Sequence, residues 1–214
     1  MLSAMTSPDL LKDPTLITKL ISSRIGGGIP VKLEMGCGEH KTSPDSIGID
    51  RRDLPTVDIV GDILEVLTAI NPGTVDLIDS SHFLEHVTDL REVLAESCRV
   101  LKPGGDFLAT VPHFSNSHYY SDPTHYQPFG LYTFDYFVQQ SFTKRRVPQY
   151  DTPLPLSLIE VNFVFKSQRP FYLRHALKKL GNIFNLNDWT KELYEENWTW
   201  RIPAYEMRFK LKRL

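Results

Sequence analysis

The chain has little of what marks several common classes of protein. Its 214 residues include only two cysteines, Cys37 and Cys98, which are too few for a disulfide framework or a cysteine-rich metal site, so we expect both thiols to be reduced. No apolar run approaches the ~20 residues that span a bilayer, and the N-terminus lacks the charged, apolar and small-residue order of a signal peptide. These absences predict a cytoplasmic protein without a transmembrane segment.

An excess of basic residues is also missing. The net charge is -2 and the isoelectric point about 6.4, which makes nucleic acid an unlikely partner because nucleic-acid-binding domains are usually basic. The charge is unevenly spread, however. Residues 1–140 carry 10 Lys and Arg against 19 Asp and Glu, whereas residues 141–214 carry 14 against 7. The basic C-terminal part either faces phosphates or anionic lipid, or is a solvated surface packed against the acidic part.

What the sequence does contain is a strand pattern that leads into a glycine turn. Val31 and Leu33 alternate as in a β-strand, and Gly36 and Gly38 let the backbone turn tightly and approach a ligand without a Cβ in the way. In doubly wound sheets such a turn lies at the carboxyl end of the first strand, where nucleotides bind. A dinucleotide fingerprint needs a third glycine where this chain has Lys41. The turn therefore predicts a different nucleotide-like ligand, with an ordinary strand-to-helix turn as the alternative.

Acidic residues accompany this turn at regular places along the chain. Glu34 precedes Gly36 by two positions, and Asp50 ends the next predicted strand fourteen positions after Gly36. That distance is shorter than the ~20 residues that separate a dinucleotide fingerprint from its ribose acid. A carboxylate at the tip of a second strand can accept hydrogen bonds from both hydroxyls of a ribose, so Asp50 is a candidate ribose ligand.

Several ordered motifs together resemble the class I S-adenosylmethionine-dependent methyltransferases, and within them the group called type 11. In chain order they are Glu34–Gly38, Asp50, Gly61–Ile63, Val75–Ser80 and Arg99–Gly105. The resemblance covers residues 31–137 and implies S-adenosylmethionine as cofactor, with its methionine part at the first motif, its ribose at Asp50 and its adenine at Asp62. The implied cofactor-binding residues are Glu34, Gly36, Cys37, Gly38, Asp50, Arg51, Asp62, Ile63, Ser80 and Ser81.

The resemblance also implies the fold, which is an α/β Rossmann-like sheet of seven strands, mostly parallel with an antiparallel last strand. We expect a single domain, with an N-terminal tail and helix over 1–30, a cofactor-binding core over 31–137 and the last strands over 138–214. Residues 157–166 and 204–213 resemble the antiparallel sixth and seventh strands. A basic helical insertion over 170–198 lies between them, and it packs on the domain, covers the site, pairs two subunits as a homodimer or touches a membrane surface.

Residues that could perform chemistry follow the fourth and fifth strands. If a helix begins after the fourth strand, His82, Glu85 and His86 share one face at i, i+3 and i+4. Two imidazoles and a carboxylate placed in this way are suitable metal ligands. The predicted metal ligands are His82, Glu85, His86 and His125. In the alternative the catalytic residues are His86, His113 and His125, with one of them acting as a general base or as a structural hydrogen-bonding group.

The pair Glu85 and His86, followed by a distant His125, resembles the plant-type small-RNA 2'-O-methyltransferases, which hold a divalent ion with two acids and two histidines. This chain departs from them because His82 stands where the first acid would be, and because their RNA-binding domains are missing. We therefore predict O-methylation of a small molecule such as a saccharide or glycan precursor, against which Tyr119 and Tyr120 offer flat apolar faces. The alternatives are an RNA 2'-O-methyltransferase and a non-catalytic cofactor-binding partner subunit.

Overall fold

The computed structural model of the chain describes residues 14–167 and 172–214, and the predicted N-terminal tail over 1–13 lies outside this range. The described residues form one eight-stranded sheet. Its strands in chain order are β1 (Lys32–Met35), β2 (Ile47–Asp50), β3 (Ile59–Val60), β4 (Val75–Ser81), β5 (Leu101–Pro112), β6 (Val138–Ser141), β7 (Leu154–Val164) and β8 (Glu206–Arg213). Their spatial order is β3-β2-β1-β4-β5-β8-β7-β6.

The directions of the strands confirm the predicted mixed sheet, with two corrections. Strand β8 pairs antiparallel with β5 and β7, and the other described pairs are parallel. The sheet has eight strands rather than seven, because β6 adds an edge strand beside β7. The strand predicted at 157–166 lies at Leu154–Val164 and runs parallel to β5 rather than antiparallel, since both strands oppose β8.

The described helices are α1 (Pro14–Gly26), α2 (Ile63–Thr68), α3 (Leu90–Val100), α4 (Tyr172–Lys178) and α5 (Asp188–Asn197). Three of them begin at side chains that accept a hydrogen bond from a free amide of the first turn. Asp62 caps α2, Asp89 caps α3, and Asn187 forms a capping box with Thr190 at the start of α5. None of the described helices is both long and apolar enough to cross a membrane.

Alternation along the central strands separates a buried face of the sheet from a polar face. On β5 and β8 the alternating apolar residues that are buried include Phe107, Ala109, Val111, Met207, Phe209 and Leu211. The residues between them, including Thr110 and Arg208, lie on the opposite face, where the strands border an open cavity of about 640 Å³. The period of two in these strands therefore places the apolar core on one side and a charged surface on the other.

The parallel strands bring their carboxyl ends to one edge of the sheet, and the loops that follow β1, β2, β4, β5 and β7 meet there. Residues 36–46, between β1 and β2, form turns and bends with no helix. Residues 102–105 form a bulge within β5, because the pairing with β4 passes directly from Val75–Leu101 to Leu77–Asp106.

Candidate active site

A cavity of about 420 Å³ opens at the carboxyl ends of β1, β2 and β4. It lies between the glycine turn, the end of β2, the start of α2 and the loop that follows β4. Five of the predicted cofactor residues border it, namely Gly36, Asp50, Arg51, Asp62 and Ile63. The position corresponds to the crevice in which doubly wound sheets bind ligands.

Gly36 forms the floor of the cavity at the end of β1. Its amide donates to the carbonyl of Ile49 at 2.8 Å, and its φ of +62° lies in the left-handed region that favours glycine. A Cβ at this position would lie 2.6 to 2.9 Å from atoms of the Phe83 side chain. The missing side chain therefore lets the loop after β4 close over the turn.

Asp50 lies at the tip of β2 and faces the same cavity. Its Oδ2 accepts from the amide of Gly38 at 3.0 Å, and its Oδ1 accepts from the amide of Arg52 at 2.8 Å. These two bonds fix the plane of a carboxylate whose side chain is 13% exposed. Because each carboxylate oxygen has a further lone pair, Asp50 can still accept from two hydroxyl groups.

Asp62 follows the short strand β3 and has two roles in the structure. Its Oδ1 accepts from the amide of Leu64 at 2.9 Å and so caps α2. Its Oδ2 accepts a hydrogen bond from Nε of Arg51 at 3.1 Å and pairs with the Nη2 of the same guanidinium. The amide of Ile63 and this carboxylate share the wall of the cavity next to Asp50.

A second group of side chains lies beside the cavity, at a 3-10 helix that spans Leu84–His86. One ligand atom each from Glu85, His86 and His125 lies within 4.8 Å of the others. The Glu85 side chain is 1% exposed, and its Oε2 has no hydrogen-bond partner among the described residues. His86 belongs both to this group and to the wall of the cavity.

Hydrogen bonds indicate which nitrogen of each neutral imidazole carries the proton. The Nδ1 of His86 lies 3.2 Å from the carbonyl of Thr124 and 2.9 Å from the hydroxyl of Thr124, which itself donates to Asp122. The Nδ1 of His125 donates to the carbonyl of Tyr119 at 2.9 Å, and its Nε2 lies 3.7 Å from Oδ2 of Asp122. A carbonyl can only accept, so the proton of each neutral ring is on Nδ1 and the lone pair is on Nε2. Histidine ligands of metals are commonly oriented in this way.

Part of the sequence matches a known family, and the fold matches solved structures. Residues 39–109, which include β2, β3, β4, α2 and α3, match a family model described as "Methyltransferase domain". The fold matches a crystal structure of an S-adenosylmethionine-dependent methyltransferase from Archaeoglobus fulgidus. The TM-score is 0.52 at 16% identity, over 94% of this chain and 95% of that chain. Residues 39–109 therefore form a methyltransferase domain, and the fold of the chain is that of S-adenosylmethionine-dependent methyltransferases.

Two other solved methyltransferases match the fold with lower TM-scores. Phosphoethanolamine N-methyltransferase 2 from Haemonchus contortus, in complex with S-adenosyl-L-methionine, gives a TM-score of 0.49 at 15% identity over 92% of this chain and 52% of that chain. A putative methyltransferase from Haloferax volcanii, in complex with the Trm112 activator, gives 0.48 at 13% identity over 97% and 99%. No curated protein sequence matches the chain.

Glu34 is a predicted cofactor residue that the structure places behind the cavity rather than on its wall. Its buried carboxylate accepts from the amide of Thr42 at 2.7 Å, from the amide of Ser43 at 3.4 Å and from the hydroxyl of Ser46 at 2.8 Å. These bonds hold the loop between β1 and β2. Glu34 therefore stabilises the conformation of this loop and does not line the cavity.

Four further predicted cofactor residues also lie away from the wall of the cavity. Gly38 acts through its amide, which binds Asp50. Cys37 is buried, and burial and the nearby Asp50 raise the pKa of its thiol to about 11. Ser80 is fully buried, and its hydroxyl has no partner among the described residues. Ser81 borders the open cavity on the polar face of the sheet instead.

His82 does not lie on a helical face with Glu85 and His86, which corrects the predicted spacing. Its φ of +52° is rare for a residue with a side chain, and the 3-10 helix begins only at Leu84. The His82 ring lies between two carboxylates, with 3.3 Å from Nδ1 to Glu85 and 3.3 Å from Nε2 to Glu206. Hydrogen bonds to Glu206 and Glu85 raise the pKa of His82 to about 9.

Glu206, at the start of β8, is the second carboxylate that contacts the His82 ring. Its side chain is 3% exposed and also accepts from Nζ of Lys166 at 2.8 Å. Burial opposes ionisation, but hydrogen bonds from His82 and Lys166 outweigh it and lower the pKa of Glu206 to about 2. His82 thus joins the loop after β4 to β8 and borders both cavities.

His113, a predicted catalytic residue, is fully buried and lies outside both cavities. Its Nδ1 is 2.7 Å from the hydroxyl of Ser115, and its Nε2 is 3.1 Å from Oε2 of Glu195. The other oxygen of Glu195 accepts from the amide of Leu131 at 2.7 Å. The His113 ring therefore links the segment after β5 to helix α5.

Sequence reasoning missed several residues that border the cavity. Phe83, Arg52 and Thr88 contribute to its wall, and no spacing or composition distinguishes them from ordinary loop residues. Tyr126 also borders it and is 59% exposed. Of the two tyrosines predicted to face the acceptor, Tyr120 is exposed, whereas Tyr119 is buried and packs on the His125 ring with centroids 5.0 Å apart.

Proposed function

We propose that this methyltransferase transfers the methyl group of S-adenosylmethionine to an oxygen of a small hydroxylated molecule, with a saccharide or glycan precursor as the leading acceptor. We further propose that Glu85, His86 and His125 hold a divalent metal ion beside the reacting groups. The observation that carries the proposal is the convergence of these three ligand atoms within 4.8 Å next to the cavity.

The cavity at the end of β1 suits the cofactor in shape and in charge. The bare backbone at Gly36 allows close approach, since any side chain there would meet the Phe83 ring. Asp50 has lone pairs left for the two ribose hydroxyls, and the amide of Ile63 beside Asp62 can bind the edge of an adenine. We assign Asp50 to the ribose and the Asp62 loop to the base on this basis.

The three proposed metal ligands have the chemistry that such a site requires. Two imidazoles whose Nδ1 atoms donate to carbonyls present their Nε2 lone pairs. The Oε2 of Glu85 is a buried carboxylate oxygen with no partner in the described part of the chain, and such an atom is costly to bury unless it is paired with a cation or a donor. A divalent ion bound there would lower the pKa of a coordinated hydroxyl.

The same residues would place the acceptor relative to the cofactor. His86 borders the cavity and belongs to the ligand group, so an acceptor oxygen at the group would lie next to a cofactor bound in the cavity. Tyr126 offers a largely exposed ring at the rim of the cavity for the flat apolar face of a sugar. Because the cofactor is already activated, much of the rate would come from this positioning.

The test follows the label from methyl-labelled S-adenosylmethionine into saccharides, sugar nucleotides and RNA, with and without a chelator. We expect label in the saccharide fractions, loss of transfer on chelation and recovery with Mg²⁺ or Mn²⁺. His86→Ala and His125→Ala should abolish recovery, whereas His118→Ala, on an exposed position of the same segment, should behave as the parent protein. Full activity in chelator would refute the metal, and label in RNA alone would replace the saccharide by the RNA alternative.

A further inference from the structure

The helical insertion after β7 exposes an apolar stripe that nothing described in the chain covers. The stripe comprises Leu173, Ala176, Leu180 and Ile183, at intervals of three, four and three residues along α4 and the 3-10 helix Lys179–Asn185. This spacing places them on one side of the helical segment. Leu173, Leu180 and Ile183 are each at least 59% exposed.

Aromatic and aliphatic side chains extend this surface. Tyr172, Leu186 and Trp189 are between 63% and 71% exposed. Single exposed apolar residues are normal, but six large ones within 18 consecutive residues are typical of an interaction site. We call these six residues, together with Ala176, the insertion surface.

The opposite side of the insertion is fixed to the sheet, so the insertion surface cannot turn inward without breaking contacts. Gly181 is buried and lies so close to the Phe165 ring that a Cβ would be 2.6 Å from ring atoms. The side chain of Asn185 accepts from the amide of Phe163 at 2.8 Å and donates to the carbonyl of Phe163 at 2.7 Å. These two bonds attach the insertion to the backbone at the end of β7.

The charge of the surrounding sequence indicates the partner. Residues 172–189, which span the insertion surface, contain three Lys and Arg and one Asp. Among these basic residues, Lys179 is exposed and directly precedes Leu180 of the stripe. Tyrosine and tryptophan combine an apolar ring with a polar edge, which suits the boundary between lipid tails and water. A helix that has an apolar face and nearby basic residues binds anionic membrane surfaces in two ways. The apolar side chains are buried among the lipid tails, and the basic side chains are attracted to the anionic headgroups.

We propose that the insertion surface docks this methyltransferase on an anionic lipid bilayer. Strand β7 ends at the same edge of the sheet as β4 and β5, so a docked bilayer would lie on the side of the molecule that carries the cofactor cavity. The inference does not depend on the proposed acceptor or on the metal, because it uses none of their residues. A second copy of the chain and RNA are the competing occupants.

The experiment is sedimentation of the full chain with vesicles of phosphatidylcholine, with or without phosphatidylglycerol. We expect binding that needs phosphatidylglycerol and weakens with salt. Leu180→Ser/Ile183→Ser should lower the partition constant about tenfold or more, and Lys179→Glu should lower it only for anionic vesicles. The matched control is Ile25→Ser/Ile29→Ser, which changes two side chains that are 52% and 53% exposed outside the insertion.

Each outcome decides the proposal once circular dichroism shows that the variants are folded. Absence of binding to anionic vesicles overturns it, as does an equal loss in the insertion variant and in the control variant. A dimer that light scattering detects, and that Leu180→Ser/Ile183→Ser converts to a monomer, assigns the surface to a second copy instead. RNA binding lost in Lys179→Glu but unchanged in Leu180→Ser/Ile183→Ser, without vesicle binding, assigns the charge to nucleic acid.

Discussion

The Phe83 ring lies directly over Gly36, at a distance that leaves no room for a β-carbon. The contact joins the loop after β1, which borders the cofactor cavity, to the loop after β4, which leads to Glu85 and His86. A change at either residue should therefore affect both parts of the site. The contact also allows a test in which backbone strain and steric overlap are separated.

We expect Gly36→Ala to abolish tight cofactor binding and to destabilise the fold. The positive φ costs about 1 kcal/mol, and overlap with Phe83 adds about 1–3 kcal/mol. Gly104→Ala is the matched control, because Gly104 has a φ of +79° but no atom within 4 Å of the place that a β-carbon would take. Thermal unfolding and calorimetry measure the two effects. Equal losses in both variants would show that the Phe83 contact is unimportant.

Asp50→Asn should weaken S-adenosylmethionine binding roughly 10- to 100-fold, since hydrogen bonds to a charged group contribute about 1.5–3 kcal/mol. The asparagine amide keeps the volume of the carboxylate, but it has one acceptor oxygen where the carboxylate has two. Isothermal calorimetry gives the change in affinity. Glu65→Gln, on an exposed position of α2, removes a nearby charge without touching the cavity and should leave the affinity unchanged. Unaltered binding in Asp50→Asn contradicts the ribose assignment.

The stability of the fold should depend on Glu206 at acid pH. Hydrogen bonds lower its pKa in the folded state to about 2 from 4.5, so the ionised form stabilises the fold above pH 4.5. This contribution, roughly 3 kcal/mol at most, is lost as the pH falls from 4.5 towards 2 and the carboxylate is protonated. Urea unfolding should therefore show that the deficit of Glu206→Gln against the parent protein shrinks over this range. Glu160→Gln, on an exposed position of β7, should show no such convergence.

Glu195→Ala should destabilise the protein without changing its catalytic constant. The substitution leaves Nε2 of the buried His113 ring and the amide of Leu131 without their partner, at a cost of roughly 2–3 kcal/mol. Denaturant unfolding measures the loss, and turnover is measured at a temperature at which the variant is folded. A large fall in turnover with little loss of stability would instead support the predicted catalytic role of His113. Glu196→Ala, an exposed neighbour that pairs with Arg145, is the control.

The core strands were predictable because the signals that indicate them lie within a few consecutive residues. The glycine turn at Gly36, the acid at the tip of β2 and the apolar period of α3 each follow from a few neighbouring residues. The added edge strand β6 has no such signal, since four residues with one buried side chain do not differ from a loop. The direction of β7 likewise depends on its pairing with β8, which lies more than 40 residues later.

The site was predictable in residue type but not in arrangement. A helical period predicted His82, Glu85 and His86 on one face, but the left-handed backbone at His82 places its ring between Glu85 and Glu206 instead. Conversely, His125 reaches the group because the amides of the next two residues donate to the carbonyl of Glu85. Contacts across about 40 residues of chain leave no trace in a spacing pattern.

The position of β8 has a consequence for the synthesis of the protein. Strand β8 lies between β5 and β7, so the half of the sheet made by β1 to β5 and the half made by β6 and β7 share no strand pairing until residues 206–213 have left the ribosome. Before that moment the nascent chain carries two unpaired strand edges, which are sites of wrong pairing. Insertion of β8 covers both edges at once. The joining of the two halves is therefore a late event that follows translation of this strand.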